Sequence, residues 1–188
     1  MIFAFFAAIL NAALISNIVA TNQVGLEAQE TPKGRILPMF IYAAYVGIMA
    51  LIIWLIGYPI YQFLLVPLNL GYLDLMMMGI LMIAVTQGAY LLLSNKKIGK
   101  YLPQNKYVIL NTALLFIVFS GLKQASFLNS LTYVLGADIG FIGVLSVYQT
   151  IISRLNIAPI PKAFKGIPII LIILGLIAIA LAGINGIF

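Results

Sequence analysis

The chain has 188 residues, of which 64% are hydrophobic and 7% charged, with a mean hydropathy of +1.16. Soluble domains are about half apolar and about a quarter charged, so a water-soluble enzyme is excluded and a polytopic membrane protein is expected. No cysteine and no histidine occur, which excludes disulfides, thiolate metal ligation, thiol catalysis and imidazole acid–base chemistry. The formal charge of +6 is expected to orient the chain in a membrane and not to bind nucleic acid.

A spanning helix needs about 20 mostly apolar residues. Six segments meet or approach that length: Met1–Val24, Ile36–Leu65, Tyr72–Leu93, Tyr107–Leu122, Leu128–Leu155 and Ile167–Phe188. Helix-breaking or polar punctuation separates them at Thr31-Pro32-Lys33-Gly34, Val66-Pro67, Ser94-Asn95-Lys96-Lys97 and Ala158-Pro159-Ile160-Pro161. Little chain remains for an extramembrane domain. The first segment has no Lys or Arg before Lys33, so it lacks the basic start of a signal peptide and is expected to stay in the mature protein.

The loops after segments 1, 3 and 5 carry Lys33, Arg35, Lys96, Lys97, Lys100, Lys106, Arg154, Lys162 and Lys165, whereas the other side holds only Lys123. The positive-inside rule then makes the rich side cytoplasmic and puts both termini outside. Trp54, Tyr58 and Tyr61 would be anchors near the outer interface.

Two internal matches suggest a repeat. Ile9-Leu10-Asn11-Ala12-Ala13-Leu14 recurs as Ile109-Leu110-Asn111-Thr112-Ala113-Leu114, and Tyr61-Gln62 at the end of segment 2 recurs as Tyr148-Gln149 near the end of segment 5. The expected fold is all-α, with six transmembrane helices as two inverted three-helix repeats, residues 1–98 and 99–188, in one integral membrane domain. Such a fold places its site near the midplane, where the repeats meet. Helices 1 and 4 are the polar ones, with Asn11, Ser16, Asn17, Thr21 and Asn22 in the first and Asn111, Thr112 and Ser120 in the second. Amides in hydrocarbon need partners or a water-lined cavity, so both helices are expected to be broken at mid-membrane, with Asn11 and Asn111 facing each other. Simple helix–helix hydrogen bonding is the alternative.

Four acids are present. Glu27 and Glu30 fall in a cytoplasmic loop, and Asp74 opens helix 3, where an acid suits the helix N-terminus. Asp138 falls about ten residues into helix 5, within Gly136-Ala137-Asp138-Ile139-Gly140. An intramembrane carboxylate is a candidate site for a cation or proton; pairing with an amide or hydroxyl, or a later helix start, are the alternatives. Asn11, Asn111 and Asp138 are therefore the ion-path candidates. Gly136, Gly140 and Gly143 have the spacing of close helix contact. Met76-Met77-Met78 cannot converge on one ion, because consecutive residues point around a helix.

Several stretches resemble the paired six-helix subunits of the Rnf and Na+-translocating NADH:quinone reductase (Nqr) complexes, the RnfA/RnfE and NqrD/NqrE family. They are Val66-Pro67-Leu68-Asn69-Leu70-Gly71-Tyr72-Leu73, Tyr101-Leu102-Pro103, Phe127-Leu128-Asn129-Ser130, and Ile160-Pro161-Lys162-Ala163-Phe164-Lys165-Gly166, which is similar to the family's V-P-x-P-F-R-G segment. The resemblance spans essentially the whole chain, and outside termini fit the RnfA/NqrE member. It implies a subunit of a redox-driven, ion-translocating complex in the inner (plasma) membrane. The implied partners are a homologous RnfE/NqrD-like subunit or a second copy, with flavin-carrying and NADH-oxidising subunits. It also implies an iron–sulfur cluster held mid-membrane by cysteines of helices 1 and 4. Those cysteines match Thr21 and Thr112 here, and threonine does not ligate cluster iron, so this chain alone is expected to bind no cofactor. A stand-alone inverted-repeat transporter for a cation or small solute is the second reading.

Overall fold

The computed structural model describes residues 2–19, 36–94, 111–155, 158–159 and 161–183. Six α-helices follow one another: α1 (Ile2–Leu10), α2 (Ile36–Ile60), α3 (Asp74–Ser94), α4 (Thr112–Leu122), α5 (Phe127–Leu155) and α6 (Ile167–Ala182). No strand occurs among the described residues.

Local chemistry explains the ends. Pro59 inside α2 cannot donate to a carbonyl one turn back, and the helix continues through a wider π-helical turn at Tyr61–Leu65. The chain then reverses at Asn69, whose φ of 56° is the left-handed conformation that asparagine tolerates. Asp74 starts α3 and accepts from the Leu75 N–H at 2.6 Å. Gly166 has a φ of 86° and leads into α6, where Pro168 occupies the first turn without losing a helical bond.

α2 and α5 form the centre. They run antiparallel, since Gly47 lies against Asp138 and Trp54 against Ser130. α4 packs on both, α1 lies on α5, α3 covers α2 and α4, and α6 flanks α5. The core is a mixed seam of Tyr42, Val46, Ile53, Trp54, Leu114, Ile117, Phe141 and Leu145. Leu55, Met76, Ile80, Leu92, Leu176 and Ile179 project outward, an apolar surface that suits lipid and not water.

Three stretches are long and apolar enough to span a membrane: Met39–Leu65, Gly71–Leu93 and Phe127–Leu155. Phe5–Leu14, Thr112–Leu122 and Ile167–Ala182 are shorter apolar helices. The bundle is thus that of a multi-pass membrane protein. At 1.5 Å per residue the 11 residues of α4 rise only about 16 Å, roughly half a hydrocarbon core. α1 gives way to a π-helical turn at Asn11–Ile15, leaves helical geometry at Ser16, and helix resumes at Ile18.

Trp54 corrects an expectation. It is 2% exposed and sits inside the bundle against Tyr58 and Phe127, not at a membrane interface. Its N–H has a buried protein acceptor, Ser130, so it needs no headgroup or water.

Candidate functional site

The polar groups of the bundle interior gather where helices begin or fail. At the start of α4, Asn111 is fully buried. Its extended backbone makes it the N-cap: its side-chain carbonyl accepts from the Leu114 N–H at 2.9 Å, and its amide donates to the Tyr42 hydroxyl of α2. This satisfies one of the orphan donors that every helix start exposes.

Asn17 has the corresponding role at the interruption of α1. It is 1% exposed. Its Nδ2 donates to the Ala13 carbonyl at 2.7 Å, and its Oδ1 accepts from the Val19 N–H at 3.1 Å. One amide therefore closes the end of one helical piece and caps the start of the next.

Both caps lie at the same level. Gly140 of α5 approaches α1 so closely that a Cβ there would lie 2.4 Å from the Ala13 carbonyl oxygen and 2.6 Å from Asn17 Nδ2. On the α4 side, Ser130 Oγ donates to the Gly121 carbonyl at 2.7 Å. Asn111 precedes Gly121 by ten residues in a helix antiparallel to α5, which brings it about 15 Å further along, level with Gly140. Gly140 is next to the midpoint of α5.

Asn11 lies elsewhere. It is exposed, accepts a long 3.4 Å hydrogen bond from Ser16 Oγ, and lines a cleft of about 210 Å³ with Gln124, Asn129, Thr132 and Tyr133. The structure thus separates Asn11 from Asn111 although their sequences match. Asn111 starts a helix and turns inward, whereas Asn11 opens a π-helical turn on the outside. The second sequence match also differs in setting, since Gln149 is buried in α5 and Gln62 is exposed in a π-helical turn.

Asp138 is 5% exposed and in the middle third of α5. Among the described residues neither of its carboxylate oxygens has a hydrogen-bond partner. Of the two alternatives to a functional site, pairing with an amide or hydroxyl is therefore not what the structure contains. A later helix start is not either, because α5 begins at Phe127.

Gly136 meets α1 as its spacing suggests, with a Cβ there lying 2.6 Å from Ala12 Cβ and from the Ile9 carbonyl oxygen, but Gly143 meets nothing within 4 Å. Met76 is exposed, Met77 half-buried and Met78 fully buried, so the methionines point apart and form no metal patch.

At one end of the bundle Asp74 of α3 pairs with Lys123, which follows α4. That hydrogen bond holds the Lys123 ammonium above the ordinary lysine value of 10.5. Lys123 also lies 4.9 Å from the Phe119 ring centroid. Arg154 closes the opposite end of α5, so the solitary cation of one side and a member of the basic group on the other are separated by a full helix.

The residues present do not fit an iron–sulfur cluster. Thr112 is exposed at the first position of α4, and Thr21 lies outside the described residues. The chain contains no Cys or His, and no group of three acidic or other metal-ligating side chains occurs among the described residues.

No protein-family model matches the chain. Curated relatives do. A protein of Alcanivorax borkumensis, named as the RnfA-type member of the ion-translocating oxidoreductase complex, is 28% identical over 193 aligned positions, covering 95% of this chain and 94% of the relative. Proteins of the same name from Shewanella oneidensis and Pseudoalteromonas translucida are 30% and 31% identical, over 70% and 69% of this chain and 71% and 69% of their own lengths.

Proposed function

This chain belongs to the RnfA family of ion-translocating oxidoreductase complexes, and from that membership we propose that it works as a multi-pass membrane subunit of an Rnf-like electron-transfer, ion-translocating complex. The observation that carries this reading is the end-to-end correspondence with a relative of that name across 95% of the chain. The apolar exterior of the six-helix bundle supports it.

Its partners are the other subunits of the complex. In finer detail they are a homologous RnfE/NqrD-like membrane subunit, or a second copy of the chain, together with flavin-carrying and NADH-oxidising subunits. The chain resides in the inner membrane with its termini outside, a placement supported by the nine basic residues on one set of loops against Lys123 on the other. Residues 1–98 and 99–188 form inverted three-helix repeats whose first helices break at mid-membrane. Support for this comes from the Asn17 and Asn111 caps, both level with Gly140.

Within that assembly the chain acts as scaffold and gate and does not hold a cluster. The absence of thiol and imidazole donors supports this division of labour. Asn11, in its polar cleft, and Asn111 are ion-path positions that a translocation assay tests directly.

Affinity purification of the tagged chain from its native membrane in mild detergent, with identification of the retained subunits, tests the assignment. Flavin-bearing and NADH-oxidising subunits are expected to co-purify, while the chain alone shows no iron–sulfur absorption. A stable homodimer that retains neither of these partners and takes up solute by itself in liposomes would overturn it.

A further inference from the structure

Asp138 has a full negative charge to place and nothing to place it on. Its carboxyl is buried in the seam between α5 and α2. The room it occupies exists because residue 47 is glycine: a Cβ there would lie 3.4 Å from Asp138 Cγ and 3.5 Å from Oδ1. No hydrogen-bond donor among the described residues reaches either oxygen.

The helices packed on α5 offer no countercharge. α1, α4 and α6 contain no titratable side chain at all, and α2 contains only Tyr42, Tyr45 and Tyr58. Of these, Tyr42 takes the amide hydrogen of Asn111, and Tyr58 is packed against Trp54 and Phe127. Within α5 itself the titratable groups are Tyr133, Tyr148 and Arg154. Arg154 lies 16 residues on, about 24 Å along the helix. Lys123 lies beyond the other end of α5, already paired with Asp74.

A lone ionised carboxylate in such surroundings is far costlier than its neutral acid. A hard metal cation needs six or more oxygen ligands for calcium, or near-octahedral geometry for magnesium. No second acidic side chain accompanies Asp138, and no acidic or metal-ligating trio occurs among the described residues. A proton needs one carboxylate and no further ligand.

We propose that Asp138 is an interior proton-binding site, its ligand a single exchangeable proton carried on the carboxyl between α5 and Gly47 of α2. The inference goes beyond the assignment to a complex and does not rest on it, since it concerns this chain alone.

Infrared difference spectroscopy of the full-length chain in lipid nanodiscs tests it, by the carbonyl stretch that distinguishes a protonated carboxylic acid from a carboxylate. The chain has four acidic side chains in all, so the band is assignable by mutation. The expected result is a protonated-acid band in neutral buffer that shifts in D2O, is lost in Asp138→Asn and persists at an altered frequency in Asp138→Glu. The absence of that band from the wild-type protein overturns the proposal without recourse to any variant. So does a band that survives Asp138→Asn in a protein of unchanged circular dichroism. A band abolished by replacing choline chloride with sodium chloride at constant pH would assign the site to a metal cation and overturn it equally.

Discussion

The indole N–H of Trp54 donates to Ser130 Oγ at 2.6 Å, and that hydroxyl donates in turn to the Gly121 carbonyl. One serine thus ties α2, α5 and α4 together inside a surface that is otherwise apolar. Ser130→Ala removes the acceptor of a buried N–H and the donor to a helix-end carbonyl. Interhelical hydrogen bonds in membranes average about 0.6 kcal/mol, and a buried donor left unsatisfied costs about 1–3 kcal/mol. The expected loss is therefore about 1–2 kcal/mol, read as a lowered unfolding midpoint in detergent micelles. Unchanged stability would show that the relay contributes nothing.

The glycines of α5 are expected to differ sharply. Gly140→Ala places its Cβ against backbone atoms of α1, which cannot rotate away as a flexible side chain would. Overpacking of this kind costs about 1–3 kcal/mol. Gly143→Ala has open space around it and removes a helix-interior glycine, so stability is unchanged or raised by up to about 1 kcal/mol. Thermal unfolding of the two variants side by side decides the matter; equal behaviour would contradict the packing of α1 on α5.

The helix ends were legible because punctuation is written into the chain. The segment expected at Ile36–Leu65 spans the same residues as α2 with its terminal π-helical turn, and α5 ends at the expected Leu155. Which face of each helix is buried was not legible. Met39, Tyr42, Ala43, Val46, Ala50, Ile53 and Trp54 form a buried stripe at helical spacing, yet Phe40, Ile48, Ile52, Leu55 and Ile56 on the other side are equally apolar. With lipid as the outer solvent, hydropathy has no contrast to offer, and Trp54 was assigned to an interface on that account. Asn17 was overshadowed by the Asn11/Asn111 sequence match. A signal for it was present in Ser16-Asn17 directly before Ile18-Val19, a polar capping pair ahead of an apolar run.

The Asp74–Lys123 pair carries a pH dependence of definite sign. The hydrogen bond to Asp74 raises the Lys123 value above 10.5 in the folded chain. Its stabilisation is therefore fully present below that pH and is lost as pH rises through the folded value. Lys123 is 45% exposed, so solvent and salt screen the contact, and about 0.2–1 kcal/mol is expected. Unfolding midpoints of wild type and Lys123→Met should differ by that amount at neutral pH and low salt, and converge in strongly alkaline buffer. A difference that is independent of pH would assign the effect to packing on Phe119 instead.

The three interior and near-interior asparagines can be ranked by what each backbone loses. Asn111→Ala removes the cap of α4 and the amide bonded to Tyr42. Asn17→Ala removes the bonds to Ala13 and Val19 at the break in α1. Loss of an N-cap costs about 0.5–2 kcal/mol, and burial of both amides puts these variants toward the upper end. Asn11→Ala loses only a 3.4 Å contact at an exposed position, where substitutions stay within about 0.5 kcal/mol. Unfolding midpoints should therefore fall for Asn17→Ala and Asn111→Ala and hold for Asn11→Ala. If Asn11→Ala is destabilised as much as Asn111→Ala, Asn11 is a buried structural partner after all, and its place on the polar cleft is wrong. If it is stable but impairs ion translocation by the assembled complex, the cleft it shares with Gln124 and Asn129 is on the ion path.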